Sequence, residues 1–399
     1  MRLSLRILLL LALAACGSAT PFPSPPPRPT STLPPTVTRA GASRTPSATP
    51  SVTRTPRATA TATRTATVSA TPRIVVETGR LAPGFSLTTY AHVPAPTSLS
   101  FGPDERLYVA STNGVVYVVG EAKGAPELYA RDVPVPVGLA WVDERLYISY
   151  RGSVKYVEDT DGDGVSDGGQ VVVRGLPSFG LHQNDGLALG TDGFLYMGMG
   201  STCDHCREAD PRNGTILRFR PDGSALSVYA SGLRNPYDVA FNTSGDLFAT
   251  DNSRDDLGPD QPPEELNHIR AGQHFGWPDC WLGNTAPLCA ERANPVAAFS
   301  AHTSANGLVF YHGRQFPEVY FDNAFVAILG SIYMFPLETE RGIMRVRLTP
   351  QGESYAGEGE WFLELPEGRP VDLTVGPDGG LYVADYAAGA VYRIVYGEP

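Results

Sequence analysis

Lysine is almost missing from this chain. Of 31 basic residues only Lys123 and Lys155 are lysines, and the rest are arginines. Acidic residues are missing from the first 76 positions, where nine arginines set a charge of +9. The whole chain carries −11, so the remainder carries −20. A globular part this acidic argues against nucleic acid as a partner, because phosphates are repelled. No long amphipathic helical period is visible, which argues against a helical bundle. The apolar run from Ile7 to Ala12 is too short to stay in a bilayer as a span. Cysteine is sparse, five in all, and Cys203 and Cys206 are followed by Arg207, so no CxxCH site for covalent haem exists.

What is present at the N-terminus sets the compartment. Arg2 and Arg6 precede the apolar run, which ends in Leu13-Ala14-Ala15-Cys16-Gly17. This pattern reads as a bacterial lipoprotein signal (1–16), with lipidation at Cys16. A plain secretory signal is the alternative. Either way the expected location is extracytoplasmic, with the membrane reached through a lipid anchor alone. Residues 17–76 are almost wholly Pro, Ser, Thr, Ala and Arg. Such a stretch has too little apolar mass to offset the entropy of ordering, so it reads as a disordered tether. The remaining cysteines, Cys203, Cys206, Cys280 and Cys289, are expected to form two disulfides in an oxidising compartment. Local pairing is the simplest of three connectivities, and a zinc site is the rival.

From residue 77 short β-rich runs recur between Gly, Asp and Pro. An apolar run, a turn and a Leu-Tyr-Val-like strand appear at 100–111, 138–149, 188–199, 240–251 and 374–385, with a degenerate copy at 320–329. A further strand follows each copy, as in VVYVVG (115–120) and VYRIVYG (391–397). Six copies of a paired motif predict an all-β fold over 77–399, a six-bladed β-propeller. A β-sandwich and a seven-bladed ring are the alternatives.

Three constellations carry chemistry. DTDGDGVSDGGQ (159–170) puts Asp159, Asp161, Asp163 and Asp167 at positions one, three, five and nine of a calcium loop, with Gly164 at the sharp turn. Gln170 stands where an EF-hand has a bidentate Glu. A solvated Asp-Gly turn is the plain alternative. His182 immediately precedes one blade repeat, and Arg234 and Asn235 precede another. Residues just before an innermost strand can sit at the channel mouth. Acidic residues crowd around Gly258 and Pro259, offering oxygens for a second calcium.

HQNDGLALGTDGFLYMGMGS, GSTCDHC, GLRNPYDVAF, LGPDQPPEELN and HFGWPDC, in this order, resemble the glucose/sorbosone dehydrogenase family. Its members are six-bladed sugar dehydrogenases dependent on pyrroloquinoline quinone (PQQ) and calcium. The resemblance covers roughly residues 80–399. It implies that His182 is the general base, with hydride passing to PQQ. It implies that Arg234 and Asn235 contact the quinone and that Arg369 grips the cofactor. It implies that the Gly258 and Pro259 carbonyls hold the PQQ calcium, and that Glu265 binds a separate structural calcium. The chain departs from the family pattern in three places. Val371 replaces a second arginine, Tyr237 replaces a glutamine, and the 337–342 segment has Glu340 and no lysine. Arg254 and Arg314 are the candidate substitutes.

The expected activity is therefore oxidation of a sugar or aldehyde substrate, with electrons leaving to an external acceptor. A calcium-dependent propeller lactonase or hydrolase is one alternative, and a non-catalytic binding module is another.

Overall fold

The computed structural model describes residues 80–120, 124–331 and 339–398. The signal (1–16), Cys16 and the tether (17–76) lie outside the described residues, as does Lys123.

Twenty-four strands form six separate four-stranded antiparallel sheets among the described residues. The ring has six blades and not seven. The innermost strands are Pro96–Phe101, Pro136–Val142, Asn184–Leu189, Val239–Phe241, Ala305–Phe310 and Pro370–Val375. Each packs against its counterparts in the two adjacent blades, with the sixth against the first. The ring closes out of chain order: Phe85–His92 pairs antiparallel with Ala390–Tyr396, so the first strand completes the last blade.

The Leu-Tyr alternation explains the core. In the first blade Leu107 and Val109 are buried in one inter-blade cluster, while Tyr108 and Ala110 are buried in the next. In the last blade Leu381 and Val383 face one way, and Tyr382 and Ala384 the other. A period of two on a strand buried on both faces gives this result. The degenerate repeat at 320–329 supplies Ala324–Ile328, whose five residues are all buried.

Two aspartates tie innermost strands together across blades. Asp238 accepts the Val239 N–H and the Leu308 N–H of the next blade, both at 2.8 Å. Asp372 accepts the Leu373 N–H at 2.8 Å and the Leu99 N–H at 2.7 Å, across the closure. The blades that face these ties have no room for a side chain. A Cβ on Gly186 would lie 2.0 Å from Asp238 Oδ1, and one on Gly307 2.6 Å from Asp372 Oδ1. No helix among the described residues is long and apolar enough to cross a membrane.

Candidate active site

All innermost strands start on one face of the ring, so the residues just before them converge there. Those of the second to fifth blades line a cavity of about 260 Å3, close to the lower end of the ~300–1,000 Å3 typical of small-molecule sites. His182, Arg234 and Asn235 all line it, together with Tyr237.

His182 is positioned by its neighbour. Asn184 is fully buried and bonds the Ser149–Ser153 hairpin of the second blade and Ser178 beyond it. Its Oδ1 accepts the Gly152 N–H and the Ser178 hydroxyl, both at 2.8 Å. Its Nδ2 donates to Ser149 Oγ, Tyr150 O and Ser153 O. With the chain pinned there, His182 Nδ1 lies 3.0 Å from Ser201 O. The carbonyl accepts the Nδ1 proton, which leaves Nε2 as the unprotonated, basic nitrogen of the neutral ring. Burial pulls its pKa down to about 3, the Arg234 charge adds to this, and the Ser201 bond opposes it. The ring is therefore neutral across the whole physiological range, with a pKa far below the near-neutral value that the family role implies.

Arg234 and Asn235 sit on a turn that Asp251 organises by accepting both backbone N–H groups, at 3.1 and 2.8 Å. The last blade repeats this device, with Asp385 accepting the Arg369 N–H at 3.0 Å. The Arg234 guanidinium is buried and held by Asp204 (2.8 Å), Asp255 (2.9 Å) and Asn252 O (3.1 Å). Among the described residues, four buried polar atoms of the cavity wall lack a partner: Arg234 Nε, Asn235 Oδ1, Asn252 Oδ1 and Asp185 Oδ2. Buried polar atoms of native folds are almost always paired, so this set marks a place for a polar ligand.

The other expected residues fall outside the cavity wall. Arg369 donates from Nη1 to Ser331 O at 3.1 Å, and Ser331 is itself a wall residue. Pro259 is exposed, and Gly258 O accepts a 2.7 Å bond from His302 Nε2. Three acidic residues near Gly258 are engaged: Asp255 by Arg234, Asp256 by Arg254, and Glu264 by the Ser253 and Ser304 N–H groups, while Asp260 is exposed. Burial raises the Glu264 pKa to about 7. Glu265 is buried opposite Asp251, and both line a small void of about 20 Å3. Burial raises the Glu265 pKa, while burial and then Glu265 push Asp251 well above its usual range. A void that size holds about one water or ion.

Neither proposed substitute cation reaches the cavity. Arg254 is bound to Asp256 and stacks on Trp281, and Arg314 lines a groove with Asp378 and Gly379. Two arginines not singled out in the sequence remain, one on the wall and one off it. Arg151 lines the wall. Arg341 depresses the Arg369 pKa, behind burial as the main cause, but lines a separate groove with Glu340, Glu364 and Glu367. Arg341 belongs to the same 337–342 segment in which the family lysine was sought.

In the 159–170 loop, oxygens of Asp159, Asp161 and Asp167 lie within 4.8 Å of one another. Asp163 stands apart from this group; its Oδ1 accepts the Val165 N–H at 2.8 Å. Gly164 takes φ +90°, the turn expected of it. Gln170 pairs with Tyr156 within the sheet. The cysteines pair locally, Cys203–Cys206 and Cys280–Cys289, which removes the zinc alternative.

The chain is 23% identical over 354 residues to an uncharacterized protein of Borreliella burgdorferi, covering 81% of this chain and 92% of that one. Among solved structures it resembles an oxidoreductase described as a glucose dehydrogenase from Thermus thermophilus (TM-score 0.63, 23% identity, 78% of this chain and 100% of that one). It also resembles the PQQ-bound aldose sugar dehydrogenase of Streptomyces coelicolor (TM-score 0.61, 21% identity, 79% and 99%). At these identities the likeness is one of fold, and the fold is the one the sequence resemblance implied. The profile of the family described as "Domain of unknown function (DUF7133)" matches residues 123–394, and the chain belongs to that family.

Proposed function

We propose that the protein is an oxidoreductase that oxidises a hydroxyl-bearing substrate of the sugar or aldehyde-hydrate class, using PQQ and calcium. One observation carries this reading. A neutral histidine with an unprotonated Nε2 shares a cavity with an arginine whose Nε is buried and unpartnered.

The donor set fits the cofactor at this end of the cavity. Arg234 and Asn235 would meet its polar edge, Arg151 on the wall would supply a cation for its carboxylates, and Arg369 stands behind the wall residue Ser331. When bound, PQQ supplies a quinone able to accept hydride. His182 takes the substrate hydroxyl proton at Nε2, while Nδ1–H stays on Ser201 O and fixes the ring. Arg234 orients without moving, because two carboxylates and a carbonyl hold it. For metal, the void beside Asp251 and Glu265 and the loop oxygens of Asp159, Asp161 and Asp167 suit calcium. Asp163 is turned to the Val165 N–H, and the Gly258 carbonyl is taken by His302. A lipid anchor at Cys16 would hold the enzyme outside the cytoplasm. Without a haem motif, electrons leave to a separate acceptor.

The test is turnover of aldoses with an artificial electron acceptor after reconstitution with PQQ and calcium. His182→Ala should lower kcat by about 10²–10⁴-fold while the fold survives. Absence of PQQ-dependent turnover across a broad aldose and aldehyde panel would refute the reading. One observation favours a second reading, a calcium-dependent hydrolase. The unpartnered oxygens of Asp185, Asn235 and Asn252 are the hard ligands a channel metal needs. Lactone hydrolysis with calcium and no PQQ would select it.

A further inference from the structure

The segment from Cys203 to Cys206 reaches both the Arg234 and the His182 sides of the site wall. Asp204 lies inside the short ring that this disulfide closes. Its Oδ1 accepts from Arg234 Nη2 and from the Asp255 N–H, both at 2.8 Å. Asp255 is the second carboxylate on Arg234, so Asp204 holds the guanidinium directly and also holds its other partner. Asp204 O accepts the Trp277 indole N–H at 3.2 Å, which anchors the ring from behind. On the other side Cys203 O accepts the Ser201 hydroxyl at 2.6 Å, and Ser201 O holds His182 Nδ1.

We propose that Asp204 is the positioning residue of this site, and that the Cys203–Cys206 disulfide makes its grip rigid. The physical case rests on Arg234. It is only 4% exposed, so its charge must be neutralised inside the protein. The segment that provides half of that neutralisation, residues 202–208, has no strand or helix to stiffen it. A short covalent ring removes most of the conformations in which Asp204 points away. A second clasp closes the same loop: Glu208 accepts from the Thr202 N–H and hydroxyl, at 2.5 and 2.7 Å. Reduction of the disulfide therefore loosens the loop without releasing it. Asp204 acts through Arg234 and touches no substrate.

The consequence for cofactor affinity rests on the proposed function; the positional claim does not. The experiment uses the full chain with Asp204→Ala, Asp204→Asn and the double variant Cys203→Ser/Cys206→Ser. Hydrogen exchange reads the Asp255 amide, whose acceptor is Asp204. Loss of one buried hydrogen bond predicts about tenfold faster exchange there in Asp204→Ala. Asp204→Asn retains an acceptor oxygen and should stay within about threefold of wild type. The double serine variant should fall between them, as should wild type under dithiothreitol. Exchange in the innermost strands should not change. PQQ titration should weaken about tenfold in Asp204→Ala, with only partial recovery in Asp204→Asn, which restores the acceptor but not the charge opposite Arg234. Unchanged exchange at Asp255 in Asp204→Ala overturns the positioning role. Unchanged exchange in the double serine variant overturns the role of the disulfide. If wild type binds no PQQ while the exchange pattern holds, the proposed function fails and the positioning role stands.

Discussion

Burial of His182 has a consequence that separates it from an ordinary histidine. Its pKa is drawn down to about 3, whereas in the unfolded chain it titrates near the usual ~6.5. At pH 5 an ordinary imidazole is roughly 97% protonated, while His182 is about 1% protonated. The proton linkage then has a definite sign. The folded pKa is depressed, so this group's contribution to stability is fully present above about pH 6.5 and is lost as pH falls toward 3. Between pH 7.5 and 4.5 the loss comes to about 3 kcal/mol. His182→Gln carries no titrating group, so over that range wild type should lose about 3 kcal/mol more than the variant. Urea unfolding of both proteins at the two pH values measures this, and carboxylates common to both cancel in the difference. Histidine-selective NMR gives the pKa directly. Parallel pH dependence of the two proteins, or a resonance titrating at pH 6–7, would refute the argument. In turnover the same reasoning predicts no acid limb near pH 6.5 from this group.

Three further outcomes follow from the packing and the metal candidates. Asp372→Ala strands the buried Leu99 and Leu373 N–H groups, which should cost about 2–6 kcal/mol and appear as a lower midpoint in thermal or urea unfolding. Gly186→Ala would drive a methyl against Asp238 and should leave little folded protein, as judged by circular dichroism and solubility. Calcium should raise Tm and a chelator should lower it. Asp159→Ala and Glu265→Gln should each shrink that shift, because each removes an oxygen from one of the two candidate sites.

The blades were legible because their signature is local. A strand pair joined by a tight Asp-Gly turn fits within a dozen residues, and the Leu-Tyr alternation fixes both faces at once. The closure by Phe85–His92 was not legible, since its partner lies some 300 positions away. His182, Arg234 and Asn235 could be found because each stands just before an innermost strand. The residues that hold them were invisible for the opposite reason. Asp204 is 30 positions from Arg234, and His302 is 44 from Gly258. Only the ring geometry brings such loops together. The partners of the acidic cluster near Gly258 were hidden for a related reason. Asp255 is held by Arg234, 21 positions away, and Glu264 in part by the Ser304 N–H, 40 positions away.

Isothermal calorimetry of PQQ against the full chain, with calcium and with chelator, tests the central claim most directly. The account predicts stoichiometric binding that calcium strengthens and that Arg234→Ala weakens at least tenfold, given about 1.5–3 kcal/mol for a charge-assisted contact. Absence of binding heat in the presence of calcium, or binding indifferent to Arg234→Ala, would contradict it.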